Sequence, residues 1–296
     1  MLWGDTSRLG RPFAKDPSVI RFGGRYLLYY SMPGRNSTQG WGIGIAESKN
    51  LIDWTKVGEV PPAGDYDSQG LAAPFAKVIE GQVHLFYQTY GTGPKDAICH
   101  AVSKDGLNFE RDPSNPVFRS TGAWNSGRAI DAEVARFHDK WFLYAATRDP
   151  ESKVQMLVAA VSEHGFGRGA WKMFDEGPIL KPALPWEMKC IEAPAAVQHG
   201  DTLFLFYGGA YNNAPQQIGC ARSKDGLHWE RIGKEPFIPV GKPGSWNSSE
   251  SGHPGTFVDD DGQLYLFYQG NNDNGKTWLL SFERIGWRDG LPFVEH

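Results

Sequence analysis

Five short runs of aromatic and branched apolar residues recur along the chain: Tyr26-Leu27-Leu28-Tyr29-Tyr30, Val83-His84-Leu85-Phe86-Tyr87, Trp141-Phe142-Leu143-Tyr144, Leu203-Phe204-Leu205-Phe206-Tyr207 and Leu264-Tyr265-Leu266-Phe267-Tyr268. A tight-turn signal precedes each: Gly23-Gly24, Glu80-Gly81, His138-Asp139, His199-Gly200-Asp201 and Asp259-Asp260-Asp261-Gly262. Their shortness, their Tyr, Phe, Trp and Val content and the Gly and Pro that punctuate them predict strands. No long amphipathic helix is apparent.

A longer repeat encloses these runs. Ser103-Lys104-Asp105-Gly106-Leu107-Asn108-Phe109-Glu110-Arg111 returns almost unchanged as Ser223-Lys224-Asp225-Gly226-Leu227-His228-Trp229-Glu230-Arg231. Looser copies are Ser48-Lys49-Asn50-Leu51-Ile52-Asp53-Trp54 and the stretch from Val161 through Trp171. Five repeats of roughly 60 residues, each able to form a four-stranded antiparallel sheet, fit radial repetition, which leaves no long sheet edge exposed. The predicted fold is all-β: one five-bladed β-propeller domain over residues 1–296, its last blade completed by Trp287 to Phe293 of the same repeat. A sandwich, or two smaller β domains, would not explain five copies of one segment order.

Composition narrows the partners. The 296 residues carry 30 Lys+Arg against 34 Asp+Glu, a formal net charge of -4, with no long block of like charge, which argues against nucleic acid and anionic membranes. No stretch reaches the ~20 apolar residues of a membrane span, and the opening residues lack signal-peptide features, so the chain is expected to be soluble as given. Cys99, Cys190 and Cys220 are odd in number and far apart, as expected of buried thiols rather than a disulfide framework or zinc site.

Aligning the repeats at the start of the apolar run that precedes each turn puts Asp16, Ala73, Asp131, Glu192 and His253 at equivalent places, 57, 58, 61 and 61 residues apart. In a propeller the first strand of each blade lines the axis, so these residues are expected to ring one channel mouth. Three carboxylates gathered where water is scarce raise one another's pKa values, an arrangement that costs stability and that glycosidic bond cleavage uses, one group protonated and one ionised. For Asp16 alone, a turn-forming role before Pro17 explains the residue equally well.

Aromatic residues stand just ahead of four of these positions: Tyr66, Trp124, Trp186 and Trp246. Such rings either stack on sugar faces or pack between blades. Trp124, Trp186 and Trp246, with Phe75 and His253, are taken as substrate-contact candidates, and Arg128, three residues before Asp131, joins them as a cation able to donate to a hydroxyl. Weaker signals are two glycosylation sequons at Asn36 and Asn247, a Cys99-His100 pair and the glycines of Gly40 to Gly44, none of which defines a site.

On the Asp16-Pro17, Asp131-Ala132 and Glu192-Ala193-Pro194 motifs, in this order and spacing, the chain resembles glycoside hydrolase family 43 and related propeller glycosidases over essentially its whole length. The resemblance implies Asp16 as the general base, Asp131 as the residue that tunes and orients the acid, and Glu192 as the general acid. It implies inversion, with base and acid carboxyls roughly 6.5–9.5 Å apart. It also implies His253 near the axis, either helping to hold a calcium ion through water or hydrogen-bonding a carboxylate, with no cofactor required for the chemistry. The expected activity is exo-acting release of a terminal sugar, α-L-arabinofuranose or β-xylose first, from a plant or algal oligosaccharide.

Related families differ at these residues. The family 32 fructosidases open with Asn-Asp-Pro-Asn-Gly and carry Glu-Cys at the acid, against Lys15-Asp16-Pro17-Ser18 and Glu192-Ala193 here, and Arg148-Asp149-Pro150 falls too far beyond Asp131 to match their Arg-Asp-Pro. Family 117, acting on anhydro-L-galactose units of agar, assigns the acid to a His near the fourth-blade Glu, where Ile191 stands here. Family 130 phosphorylases require clustered cations, for which the sequence offers Arg128 and Arg148. A propeller lectin is the non-catalytic alternative, but lectins repeat one pocket per blade, whereas these ring positions differ.

Overall fold

The structure is a computed structural model that describes residues 1–34 and 40–295. Its strands form five antiparallel sheets of four. Blade 1 holds β1 (Lys15–Phe22), β2 (Arg25–Met32), β3 (Gly42–Ser48) and β4 (Thr55–Val60). Blade 2 holds β5 (Leu71–Ile79), β6 (Gln82–Thr89), β7 (Ile98–Ser103) and β8 (Glu110–Arg111), and blade 3 holds β9 (Ile130–Phe137), β10 (Lys140–Arg148), β11 (Gln155–Ser162) and β12 (Lys172–Met173). Blade 4 comprises β13 (Ile191–His199), β14 (Thr202–Gly209), β15 (Gln217–Ser223) and β16 (Glu230–Arg231). Blade 5 comprises β17 (Glu250–Val258), β18 (Leu264–Asn271), β19 (Leu279–Arg288) and β20 (Leu291–Val294), so it is completed from its own repeat as expected.

The first strands of the blades pack on one another around the axis. The second strands are the five aromatic runs, and their failure to alternate with polar residues has a simple cause: each is buried on both faces. In β2, Leu27 and Tyr29 enter the core between blades 1 and 2, while Leu28 and Tyr30 enter the core between blades 5 and 1. The same division gives Phe142 and Tyr144 to the cleft between blades 3 and 4, and Leu143 and Ala145 to that between blades 2 and 3. There are thus five clefts filled by apolar side chains rather than one central core, which leaves the axis free for polar groups. The N-terminal segment closes the last gap: Trp3 and Leu280 exchange backbone hydrogen bonds of 3.0 and 2.7 Å, and the Ala14 amide donates to Trp278 at 3.1 Å.

The Ser-Lys-Asp-Gly repeat staples neighbouring blades. Ser223 Oγ accepts from the Gly226 amide, Asp225 accepts from the Leu227 and His228 amides, and the Gly226 carbonyl accepts the buried Tyr144 hydroxyl of the preceding blade at 3.0 Å. Gly106 does the same for Tyr29, at 2.8 Å. Gly226 lies at φ +78°, and a Cβ there would stand 2.8 Å from the Phe142 ring. Gly226→Ala is therefore expected to cost about 2 kcal/mol through strain and crowding. Thermal unfolding would show it as a lowered midpoint; an unchanged midpoint would mean that the staple does not hold the blades.

Candidate active site

Each axial strand carries a break in its pairing register near its start: between Lys15 and Ser18, Ala72 and Phe75, Glu192 and Ala195, and Gly252 and Gly255, with the β9 break lying opposite Tyr144 and Ala146. At these bulges Asp16, Ala73, Asp131, Ala193 and His253 all adopt positive φ, between 46° and 55°. Bulges of this kind re-aim a side chain, and a non-glycine residue in this region stores about 1–3 kcal/mol of strain. The ring is therefore real, but its fourth member is Ala193. Glu192 lies one residue earlier, in the row of Lys15, Ala72 and Ile130. The sequence alignment placed it one position off because it followed the carboxylates instead of the X-Pro step shared by Asp16, Ala73, Ala193 and His253.

The shift has a geometric consequence. Asp16, Asp131 and His253 form the floor of a pocket of about 180 Å³, while Lys15, Ala72, Ile130 and Glu192 form its wall. Below the floor the axis narrows to about 20 Å³, room for a single water, before opening into a separate cavity of about 390 Å³ at the opposite face. The pocket is blind. A wider depression of about 730 Å³ near His199 and Asp225 lies on the outer part of blade 4, away from the carboxylates.

Neighbouring blades fix the floor. The Asp16 amide donates to Gln269 Oε1 at 3.1 Å, and the Asp131 amide to Gln88 Oε1 at 2.7 Å. His253 Nε2 lies 3.3 Å from Asp16 Oδ1 and 3.4 Å from Asp131 Oδ1, bridging the two carboxylates. Burial alone would lower the pKa of this ring, but the two carboxylates outweigh it and raise it to about 9, so at neutral pH it is an imidazolium that offsets their charge. Glu192 accepts from Gln155 Nε2 and, at 2.6 Å, from Gln216 Nε2. Burial, then the charge of Asp131, push the Glu192 carboxyl above the usual range, against the opposing pull of His253, Gln216 and Lys15. Environments that separate carboxyl pKa values in this way are what acid–base pairs require.

Among the buried carboxyls not singled out from sequence, two are pushed upward by burial. Glu250 is held by Gln269 and the Asn213 amide, and burial raises it to about 7. Glu133, below the floor and lining the lower cavity, is raised to about 8 by burial.

The aromatic candidates do not come to the pocket. Trp186 stacks on Tyr207 and packs over the bare backbone of Gly209; Trp246 does the same over Gly270 beside Tyr268. Trp124 packs against the core between blades 2 and 3, and Phe75 faces the lower cavity and the neck. A glycine on the second strand leaves a slot that the preceding indole fills, so these rings serve packing between blades. The pocket instead draws Trp41, Tyr90 and Tyr211 from segments beside the inner strands, together with Arg128, Arg148, Gln155 and Asn212. Arg128 lies at the carboxylate pocket as expected, with Arg148 beside it. His253 also lies where expected, on the axis.

The residues fit poorly to directly ligated calcium. That ion prefers six to eight oxygens, whereas the described residues hold no cluster of three His, Cys, Asp or Glu suited to a metal, and the His253 nitrogen facing the floor is engaged by Asp16 and Asp131. The three cysteines are buried and unpaired, and burial pushes Cys99 up to about 12. Asn247 is buried and donates to Ser251 Oγ at 2.9 Å, so its sequon is not presented for glycosylation; the Asn36 sequon lies outside the described residues.

A five-bladed propeller whose axial pocket gathers Asp16, Asp131 and the buried Glu192 defines a class of sugar-processing proteins. Comparison with known families agrees: the model described as "Glycosyl hydrolases family 43" matches residues 9–292, and the chain belongs to that family. A crystal structure titled as a thermostable family-43 glycoside hydrolase superposes with a TM-score of 0.78 at 20% identity, covering 96% of this chain and 93% of that one. Among characterised sequences, the chain is 26% identical over 203 residues to a 1,2-beta-oligomannan phosphorylase of Thermoanaerobacter sp. (strain X514), covering 66% of this chain and 64% of that protein. It is 23% identical over 283 residues to an extracellular exo-alpha-(1->5)-L-arabinofuranosidase of Streptomyces avermitilis, covering 84% of this chain and 53% of that protein. The chain thus spans less than two thirds of the length of either.

Proposed function

We propose that the protein is an inverting, exo-acting glycoside hydrolase that releases one terminal sugar, α-L-arabinofuranose or β-xylose first, from an oligosaccharide. The observation that carries this reading is the environment of Glu192, buried and pushed toward its protonated form beside Asp131, in the pocket that Asp16 also enters. Asp16 takes a proton from the attacking water as Glu192 gives one to the glycosidic oxygen, and Asp131 keeps Glu192 protonated until that moment. His253 bridges Asp16 and Asp131 and so fixes their orientation. No cofactor enters these steps.

Exo-action is supported by the shape of the site. At about 180 Å³ the pocket is smaller than the roughly 300–1,000 Å³ of drug-sized sites, and the 20 Å³ neck beneath it stops a chain from threading through. The arabinofuranosidase relative supports the choice of sugar. Incubation with arabinan, xylan, galactan and agar oligosaccharides tests both points: a single monosaccharide from one of the first two is expected, and internal fragments or no cleavage of any member would contradict the reading.

The role of Asp131 gives a pH test. The rate falls as pH rises through the pKa of Glu192, because only its protonated form acts. Asp131→Asn removes a charge that raises that pKa, so the basic limb of the kcat/KM profile is expected to move to lower pH. An unmoved limb would remove Asp131 from this role.

A further inference from the structure

Three cations stand on the wall of the carboxylate pocket, and two of them are forced together. Arg128 Nη1 and Arg148 Nε both turn to the same acceptor, Gln155 Oε1, at 3.4 and 3.0 Å. Arg128 is offset by the buried Asp96, at 3.2 Å, yet its Nε is buried without a partner. Arg148 has no carboxylate within salt-bridge distance among the described residues, and neither of its Nη groups has a hydrogen-bond partner there. Its guanidinium rests 5.9 Å from the centre of the Tyr211 ring. Lys15, the third cation of the wall, reaches the amide oxygen of Asn212 at 3.3 Å and stands 4.3 Å from the centre of the Trp278 ring, with no carboxylate within salt-bridge distance among the described residues.

Two guanidiniums converging on one neutral oxygen repel each other, and the donors left over point to a missing acceptor. A guanidinium fork matches the planar edge of a carboxylate or two oxygens of a phosphate. We infer that Arg148 and Arg128, with Lys15 in the same pocket lining, form an oxyanion-binding subsite of the pocket. Its position follows from Gln155, whose oxygen takes the arginines while its nitrogen donates to Glu192. The subsite thus lies one side-chain amide away from the carboxyl that, in the glycosidase reading on which this placement rests, protonates the leaving oxygen.

The oxyanion has two possible sources with the same chemistry. It is an acidic group carried by the glycan, a uronate above all, or it is free inorganic phosphate. In the second case a phosphate oxygen forms the new bond to the anomeric carbon as the glycosidic bond breaks, Glu192 supplies the proton to the departing oxygen, and a glycosyl phosphate replaces the free sugar. The ligand chemistry is the proposal; the source is read from the product.

Calorimetric titration of the protein with inorganic phosphate and with D-glucuronate, at low and at raised salt, tests it. At least one of the two is expected to bind, more weakly at raised salt, with at least a tenfold loss of affinity in Arg148→Gln and a smaller loss in Arg148→Lys, which keeps the charge but not the fork. Equal affinity in wild type and Arg148→Gln, or no binding of either anion, would overturn the subsite. Binding does not depend on turnover, so a wild-type protein that hydrolyses oligosaccharides but binds neither anion counts against this inference alone, and anion binding without cleavage of any glycan counts against the glycosidase reading alone. Product analysis with labelled phosphate then separates the sources: label in a glycosyl phosphate identifies the free ion, and faster cleavage of uronate-bearing than of neutral oligosaccharides without label identifies the glycan.

Discussion

Glu192→Gln is expected to slow cleavage of a natural oligosaccharide roughly a thousandfold, within the range that general acid–base catalysis contributes, while substrate binding stays nearly unchanged. Glutamine keeps the shape of the side chain and one oxygen toward its partners, but it has no proton to give. The loss should depend on the leaving group. A sugar alkoxide needs that proton, whereas an activated phenolate departs without it, so an aryl glycoside of the same sugar should be cleaved by the variant at close to the wild-type rate. Chromatographic rates on both substrates provide the check. Unchanged turnover of the oligosaccharide would remove Glu192 from the chemistry, and an equal loss on both substrates would assign it a different role.

Asp16→Asn is expected to be at least as damaging, again roughly a thousandfold or more, and it should show the opposite pattern. Activation of water is needed whatever the leaving group, so the aryl glycoside should not rescue the variant. Asparagine retains the place beside His253 Nε2, now 3.3 Å from Asp16 Oδ1, without the charge that helps hold the ring as an imidazolium. A variant active on the aryl glycoside would contradict the base assignment, and the pair of variants together separates the two ends of the reaction.

The parts legible in the sequence were those with a repeating physical cause. The second strands of the blades could be read because each is buried on both faces, which turns it into an unbroken aromatic run such as Leu203 to Tyr207. The ring of bulges could be read from its spacing, yet chemistry misled the register: Glu192 attracted the alignment, while the backbone equivalence rests on Ala193, which is chemically silent. Trp186 and Trp246 look like sugar platforms in one dimension, and only the glycines opposite them, Gly209 and Gly270, show why they turn inward. The pocket aromatics carried a signal that went unused. Tyr90 and Tyr211 follow closely on the ends of β6 and β14, at the mouth where the carboxylates gather. Gln155 and Gln216, which orient Glu192, belong to no motif, because an amide that holds a carboxyl is defined by where the fold places it.

Arg148 illustrates the same point from the other side. Its Arg-Asp-Pro triplet does not align with the fructosidase motif, and Asp149 serves the hairpin by accepting from the Val154 amide at 2.8 Å. Yet the arginine itself ends β10 at the pocket, beside Gln155 across the hairpin, which no linear comparison of motifs would show.

The central claim is that one carboxylate activates water on one face of the sugar while a buried carboxyl protonates the leaving oxygen on the other. Proton NMR of the anomeric signals during the first minutes of oligosaccharide cleavage tests it most directly. The account requires the released sugar to appear first in the anomeric form opposite to that of the bond cleaved, before mutarotation mixes the two. First appearance of the retained anomer would mean a covalent intermediate on one of these carboxylates and would contradict the account.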